Sequence, residues 1–304
     1  MMPYTPLQLL FFFFTYCFIG WIIESTWVSL HKGHFVNRGF LRGPFIPIYG
    51  FGAMTLLLVG TPLLKWPVAV FFGGLLACSI LEYVTGALME AVFKVRYWDY
   101  SDKPFNINGH VCLFTSVCWG ILAVVEDYFL HKPIEALSEY LTLKELTLIV
   151  AVVGVCFAVD VTLSFKAAFD LRAIIIRVEK AKEELRIMQK RLDVYLAFAN
   201  AEREEFIEDT KDKIEDIFDS LEDRFTEIKE RISDAPGEFS ENAREEFDEL
   251  REKFAALRSN RFGLSNFKGF YRRGIFLGNP TLVSKKFRDT VESIKNFVID
   301  KKDK

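Results

Sequence analysis

The sequence predicts an all-α protein in two parts: a polytopic membrane helix bundle over residues 1–170 and a cytoplasmic coiled-coil-like helical domain over residues 171–304. The first observation behind this prediction is a set of about five apolar stretches of roughly 20 residues, the length that a transmembrane helix needs. The second is charge, because only 10 of the 38 Lys and Arg residues and 12 of the 41 Asp and Glu residues lie in 1–170. The net charge of −3 therefore averages two unlike parts and gives no support for a nucleic-acid partner.

The predicted transmembrane spans cover residues 9–30, 43–64, 67–93, 110–131 and 146–169. They must be helical, because backbone groups in lipid have to be satisfied within their own segment. The first connecting loop carries Lys32, Arg38 and Arg42 without any acid, so the positive-inside rule makes it cytoplasmic and leaves the N-terminus outside. The N-terminus lacks the basic region of a cleavable signal peptide, which favours a retained first span.

All five cysteines lie in the apolar half of the chain. They form no Cys-x-x-Cys pair, and no cluster of histidines accompanies them to complete a metal site. We therefore expect small membrane-helix residues rather than a disulfide framework, and the sequence predicts neither a metal nor a cofactor.

Acidic side chains stand inside three of the predicted spans, at Glu24, Glu82 and Asp160. A charged carboxylate at the centre of a bilayer costs about 2.5–3.5 kcal/mol even on the lenient insertion scale, so each must face protein, water, a cation or a substrate. Glu82, Gly86 and Glu90 follow one another at intervals of four and share roughly one helix face. The acids could bind a cation, pass protons or pair with arginines of the loops, Arg38 and Arg42 among them, or they could only cross-link helices.

The second predicted span opens with two prolines and three glycines in ten residues, from Gly43 to Gly52. Prolines remove backbone donors, which predicts a broken or kinked helix around Tyr49. Broken membrane helices are tolerated where they line a cavity or are buried in protein. Close helix packing through small residues explains the same composition, and both interpretations stay open.

The third loop, around residues 97–110, is rich in aromatic and hydrogen-bonding side chains. We predict that it folds back over the cytoplasmic mouth of the bundle through Trp98, Asp99, Tyr100, Asn106, Asn108 and His110. The simpler explanation for its aromatic residues is the belt of Trp and Tyr at the membrane interface.

Apolar residues in the second part repeat by sevens, first from Val178 to Phe206 and then, one residue out of phase, from Ile207 to Ile228. This pattern predicts a coiled-coil-like seam with a slip near Phe206. The seam and a second stripe over 243–257 would form a helical hairpin at about 175–258 that turns at Pro236-Gly237. A final amphipathic helix is expected at about 284–299. The seam would also allow homo-oligomers.

Between these helices lies a basic and aromatic segment, residues 261–274, without any acid. Such a segment could bind anionic lipid headgroups, where each basic residue contributes about 1 kcal/mol. The alternative is a solvated linker. The predicted lipid contacts are Arg261, Lys268, Arg272 and Arg273.

An ordered set of motifs gives the chain a family resemblance over about 8–165: WIIES at 21–25, NRGFLRGPFIPIYGFGA at 37–53, LEY at 81–83 with Glu90, WDYS at 98–101 and FNING at 105–109. The chain resembles the CmpB-like bacterial membrane family labelled ABC transporter type IV. The resemblance implies a permease-like protein of the bacterial plasma membrane, in which the position of His110 is usually arginine. Because no G-x-x-x-x-G-K-[ST] motif is present, ATP hydrolysis would need a separate ATPase subunit.

Three functions are weighed. The first is a permease-like subunit, in which Glu24, Glu82 and Glu90 line a polar path for an unknown substrate. The second is a membrane-anchored scaffold or oligomerisation protein that uses the cytoplasmic hairpin. The third, an intramembrane enzyme, has no H-E-x-x-H or G-x-S-x-G motif behind it, so no catalytic residue is predicted.

Overall fold

The structure is a computed structural model that describes residues 4–199, 214–234, 241–259 and 270–299. These residues form helices and no strand beyond two isolated bridges, which confirms the all-α prediction. The α-helices are α1 (Pro6–Lys32), α2 (Pro47–Gly60), α3 (Pro67–Phe93), α4 (Leu113–Val125), α5 (His131–Tyr140), α6 (Leu143–Ala199), α7 (Ile214–Asp234), α8 (Glu241–Ser259), α9 (Phe270–Gly278) and α10 (Arg288–Ile299).

Four helical stretches are long and apolar enough to cross a membrane: Pro6–Lys32, Pro67–Phe93, Leu113–Tyr140 and Leu143–Leu192. The predicted second span differs, since α2 and a following 3₁₀ turn cover only Pro47–Leu63. The helix cannot begin at residue 43 because residues 43–46 form a turn, in which the Phe45 amide bonds to the Gly43 carbonyl. Pro47, which needs no hydrogen bond for its nitrogen, then starts the helix.

Helix α3 shows how the membrane bundle is built. One face exposes a large apolar side chain at every fourth position: Phe72, Leu76, Ile80, Val84 and Leu88. The opposite face is buried and carries Val70, Gly74, Cys78, Glu82 and Gly86. Small residues on the buried face let α2 and α4 approach closely, while the exposed face suits lipid. The single large polar residue of the buried face, Glu82, is thereby placed between helices.

The chain divides into two compact units. The first contains Met1–Asp170 together with Phe270–Lys285, and the second contains Leu171–Gly269 and Lys286–Lys304. The sequence places residues 270–285 in the cytoplasmic domain, whereas the structure packs them into the membrane unit. The physical reason is a set of hydrogen bonds to the membrane unit's loops, described below.

The second unit has its own core, made by α7, α8 and the part of α6 beyond residue 171. Leu185 and Leu221 belong to the same buried cluster. In one continuous helix they would stand about 54 Å apart at 1.5 Å per residue, so the seam predicted over 178–228 is divided between two helices packed side by side. The cluster is completed by Met188, Leu192, Phe225, Ile228, Phe247, Leu250 and Phe254. The predicted slip at Phe206 and turn at Pro236-Gly237 lie outside the described residues.

Candidate functional site

Two loops of the first unit meet at one end of the bundle, where the rings of Phe40 and Tyr97 lie 5.3 Å apart. We call residues 33–46 the first loop and residues 94–112, which contain the third loop of the sequence prediction, the second loop. We call this end of the bundle the loop end. Helices α1 and α3 end here, and α2 and α4 begin here. Polar side chains of these helices and of the second loop form a group that we call the carboxylate core: Glu24, Tyr49, Glu82, Tyr100 and Trp119.

Glu24 is tied to both the second helix and the first loop. The Tyr49 hydroxyl donates to Glu24 Oε1 at 2.9 Å, and Arg38 Nε lies 3.7 Å from Glu24 Oε2. The Glu24 side chain is one-third exposed. The first turn of α2 thus supplies a side-chain donor through Tyr49, and the first loop supplies a countercharge through Arg38.

Glu82 is buried, with 6 % of its surface exposed. Its Oε1 accepts a hydrogen bond from the Tyr100 hydroxyl at 3.2 Å, and its Oε2 accepts one from Trp119 Nε1 at 3.1 Å. Both donors are neutral, and no ion pair reaches Glu82 from the residues that the structure describes. The ring of Trp119 lies 5.8 Å from that of Tyr49, which connects the two acids through aromatic side chains.

Tyr100 is the loop residue that enters the core. Burial raises the pKa of Tyr100 well above its ordinary value of 10.0, and the negative charges of Glu82 and Glu24 raise it further. Tyr100 therefore stays a neutral donor at any physiological pH.

Glu90, which the sequence groups with Glu82, belongs to a separate ionic cluster in the second loop. Arg96 Nε lies 2.8 Å from Glu90 Oε2, and Arg96 Nη1 lies 3.1 Å from Asp99 Oδ1. His110 Nε2 lies 3.2 Å from the same Glu90 oxygen. Glu90 is therefore engaged with Arg96 and His110 rather than with the carboxylate core.

Two loop residues of this ionic cluster have shifted pKa values. Burial by itself would raise the pKa of Asp99, but hydrogen bonds from Ser101 and the charge of Arg96 outweigh it and lower that pKa below 3.8. Burial lowers the pKa of His110 below 6.5, and the charge of Arg96 lowers it further against the pull of Glu90.

The second loop is folded tightly over the end of α3. Trp98 Nε1 donates to the His110 carbonyl at 2.9 Å, and both residues pack on Gly86, where a Cβ would lie 3.0 Å from His110 Nδ1. Asn106 Oδ1 accepts from the Gly109 amide at 3.1 Å, and Asn108 Nδ2 donates to the Tyr83 hydroxyl at 3.0 Å. The structure thus brings the six predicted mouth residues into one folded loop.

Asp160 does not join the other acids. Its carboxylate accepts the backbone amides of Arg42 at 3.2 Å and Gly43 at 2.7 Å. Ser164, one turn later on α6, lies 3.5 Å from it. Asp160 therefore holds the backbone just before α2, which favours the interpretation that it cross-links helices.

Residues 270–285, which we call the clasp, close over the first loop. The buried Arg42 guanidinium donates to the Gly274 carbonyl and, at 2.5 Å, to the Gly39 carbonyl. No acid among the described residues forms an ion pair with it. Asn279 Nδ2 donates to the Gly39 carbonyl at 3.0 Å, and Arg38 Nη1 lies 3.3 Å from Asn279 Oδ1. A Cβ at Gly274 would stand 2.5 Å from Arg42 Cδ, so any larger residue there would have to displace the Arg42 side chain.

The clasp also binds the second loop. The amide of Arg96 donates to the Val283 carbonyl at 2.7 Å, and the amide of Val283 returns a bond of 3.1 Å to the Arg96 carbonyl. Ser284 Oγ donates to the Lys94 carbonyl at 2.7 Å. The clasp thereby joins both loops of the loop end.

The described part of the basic and aromatic segment packs on protein. Arg272 Nη2 lies 2.7 Å from Asp170 Oδ2, and Arg273 is half-buried. Arg261 and Lys268 lie outside the described residues. The structure therefore gives Arg272 a protein partner where the sequence predicts lipid.

Sequence reasoning missed a second polar group at the opposite end of the first unit. We call it the His131 cluster: Tyr4, Tyr16, Glu126, Asp127 and His131. Glu126 and Asp127 are only 5 % and 8 % exposed. Both acids stand inside the predicted span 110–131, so the rule that selected Glu24 and Glu82 would have selected them too.

A family model described as "Putative ABC-transporter type IV" matches residues 11–165. The match includes the carboxylate core, both loops and Asp160, and it ends before the second unit and the clasp. No curated protein matches the chain, and no solved structure matches it.

Proposed function

The chain belongs to the family described as "Putative ABC-transporter type IV", and on that premise we propose that it is the permease-like subunit of a transporter in the bacterial plasma membrane. The family and the apolar helices make it a transporter-related membrane protein. In this proposal the polar path runs through the carboxylate core, and the cargo is a small cation or a solute with a cationic group.

The observation that carries the proposal is the environment of Glu82. A buried carboxylate without a countercharge is costly, and neutral donors offset only part of that cost. Trp119 and Tyr100 provide two such donors and no positive charge. A cation beside Glu82 would supply the missing charge, and Glu24, one-third exposed, offers a second carboxylate on the same path.

The loop at 97–110 supports a gating role. Tyr100 bonds to Glu82, while the neighbouring Asp99 bonds to Arg96 in the loop itself. Any movement of this loop away from α3 would break the Tyr100 bond and open the acid to the cytoplasmic side. Positive charge in the loops places the loop end in the cytoplasm in this proposal, with the N-terminus outside.

ATP hydrolysis belongs to a separate ATPase subunit in this proposal, and the chain itself carries no catalytic residue. An ATPase would dock at the cytoplasmic loop end. The tagged full-length chain, purified in mild detergent from its native host, should then bring down an ATP-hydrolysing protein. Purification with no associated ATPase activity in the native host would leave a permease that works without ATP.

The transport proposal is tested in liposomes that contain ATP, with the full-length chain reconstituted together with the ATPase that it brings down. The probes are radioactive sodium, rubidium and methylammonium ions, each measured as uptake over protein-free vesicles. Glu82→Gln, which keeps the shape and removes the charge, should abolish uptake of the probe that the native chain carries. Glu139→Gln is the matched control, because Glu139 is exposed on α5. Equal uptake by native and Glu82→Gln protein, or no uptake of any cationic probe by the native chain, would overturn the proposal.

The scaffold alternative gains no support from the second unit. Its seam residues, such as Leu185 and Leu221, are fully buried in that unit's own core. The heptad pattern is therefore explained by packing within the chain, and oligomerisation through this seam has no observation in its favour.

A further inference from the structure

The His131 cluster lies at the end of the first unit opposite the carboxylate core, where α4 passes into α5. Between the two helices Glu126–Leu130 forms a π-helical turn, a rare element that often marks functional sites. Two consecutive acids occupy its start. We propose that Glu126 and Asp127 form a second, proton-binding site of this protein.

The first argument is that both acids are buried with an oxygen left over. Glu126 Oε1 and Asp127 Oδ2 accept no hydrogen bond from the described part of the chain. Each side chain is more than nine-tenths buried. Two adjacent carboxylates that share so little solvent cannot both keep their charge without a cation, because they repel each other in surroundings of low dielectric.

The second argument is the chemistry of the groups that face the pair. Among the described residues, these are Tyr4 before α1, Tyr16 on α1 and Cys78 on α3. His131 on α5 bonds to both tyrosines, and Glu135 and Glu139 of α5 lie beside Tyr4. From α2, Gly60 packs directly against the Asp127 carboxylate. No Lys or Arg in the described ranges forms an ion pair with either acid. The surroundings therefore offer polar hydrogens and no fixed positive charge.

The third argument concerns which cation fits. Among the residues that the structure describes, no three His, Cys, Asp or Glu side chains are arranged to hold a metal ion. A proton needs no ligand shell, and it neutralises a carboxyl directly. A proton is thus the cation that the geometry of the pair can take.

A route for that proton is present. The Tyr16 hydroxyl lies 3.2 Å from His131 Nδ1, and His131 Nε2 lies 3.0 Å from the Tyr4 hydroxyl. The Tyr16 side chain also faces Glu126, which extends the route to the acid pair. An imidazole can accept a proton at one nitrogen while it releases one from the other. This series of hydrogen bonds can therefore pass a proton from Tyr4 towards Glu126 with no net change in the charge of His131, which ends in its other tautomer.

The proposed site and the carboxylate core lie along the same two helices, α3 and α4. Trp119, which bonds to Glu82, and Glu126 are seven residues apart on the same helical stretch, about 10 Å along its axis. Cys78, one turn before Glu82 on α3, lies near both Glu82 and Glu126. Coupling of proton binding to transport rests on the proposed function; proton binding itself does not.

Dicyclohexylcarbodiimide tests the proposal, because it forms a stable adduct with carboxyl groups that carry a proton in apolar surroundings. The full-length chain in liposomes is treated at a series of pH values, and peptides are analysed by mass spectrometry. Label should appear on Glu126 or Asp127 and fall about tenfold for each pH unit above its midpoint. Glu126→Gln combined with Asp127→Asn should lose it, while the exposed Glu139→Gln variant should keep the native curve.

Infrared difference spectra of the same samples provide a readout that needs no reagent access. A band from protonated carboxyl should disappear on alkalinisation and be missing from the double variant. Absence of both the label and the band in folded native protein would overturn the inference. Absence of both signals with normal cation uptake would overturn this site alone, whereas failed uptake with a normal label and band would overturn only the transport proposal.

Discussion

The indole nitrogen of Trp119 donates to Glu82 Oε2 at 3.1 Å, from α4 to α3. This bond fixes the position of an acid that has no countercharge among the described residues. A helix pair that packs through Gly74 and Gly120 would tolerate sliding, and a directional hydrogen bond removes that freedom. The bond therefore sets both the register of the two helices and the direction in which Glu82 presents its second oxygen.

Trp119→Phe should destabilise the first unit by about 1 kcal/mol, since it keeps most of the ring and leaves one Glu82 oxygen without a donor. The measurement is thermal unfolding of the purified full-length chain. Trp66→Phe is the control, because Trp66 is largely exposed. An unchanged melting temperature for Trp119→Phe would show that the bond contributes nothing to stability.

Asp160→Ala should unfold at lower temperature than the native chain, because it leaves the amides of Arg42 and Gly43 without their acceptor. A buried amide that loses its partner costs about 1–3 kcal/mol. Uptake per folded molecule should stay at the native level, since Asp160 lies outside the carboxylate core. Thr162→Val, exposed on the same helix, serves as control. Loss of uptake in stable Asp160→Asn protein would instead place this acid on the path.

Acidification should destabilise the loop end through His110. Its pKa in the folded protein is below the ordinary value of 6.5, because burial and Arg96 disfavour the charged form. The unfolded chain therefore binds the proton first, and stability present above about pH 6.5 is lost as the pH falls through the interval below it. His110→Gln should show a smaller decrease in melting temperature between pH 7 and about pH 5. Parallel pH profiles for the two proteins would contradict this assignment.

Asn279→Ala should loosen the clasp. The Asn279 amide donates to the carbonyls of Gly39 and Ile275, both at 3.0 Å, and the side chain is buried. Its removal should cost about 1–3 kcal/mol. Hydrogen exchange followed by mass spectrometry should then accelerate in 270–285 and in 33–46 together. Leu277→Ala, at an exposed position of α9, should leave both segments as in the native chain.

Much of the membrane unit could be predicted from composition alone. Lipid imposes the length of the helices, and an acidic residue inside an apolar stretch is rare enough to be recognised in the sequence. The helix at Pro67–Phe93 and the polar roles of Glu24 and Glu82 follow from that constraint. What could not be predicted is partner choice. Glu24 accepts a hydrogen bond from Tyr49 and pairs with Arg38, whereas Asp160 accepts hydrogen bonds from backbone amides. No sequence pattern distinguishes these outcomes.

The clasp was missed for a different reason. Its contacts with the two loops join residues more than 180 positions apart, such as Thr281 to Tyr97. Periodicity carries information only about neighbours on one element. The heptads of the second unit were visible for the opposite reason. They show which residues are buried, but Leu185 and Leu221 pack between helices of one chain just as they would between two chains.

The position of the clasp in the chain also orders events during biosynthesis. The ribosome completes residues 1–170 and then makes residues 171–269 before the clasp exists, an interval of about 5–20 s at 5–20 residues per second. Throughout that time Arg42 lacks the Gly274 carbonyl, and the two loops lack the strand-like partner around Val283. The loop end is therefore closed by a segment that follows it in the chain, and only after residues 171–269 of the second unit have been synthesised. In a chain that ends before residue 270, Arg42 and both loops would lack these hydrogen bonds.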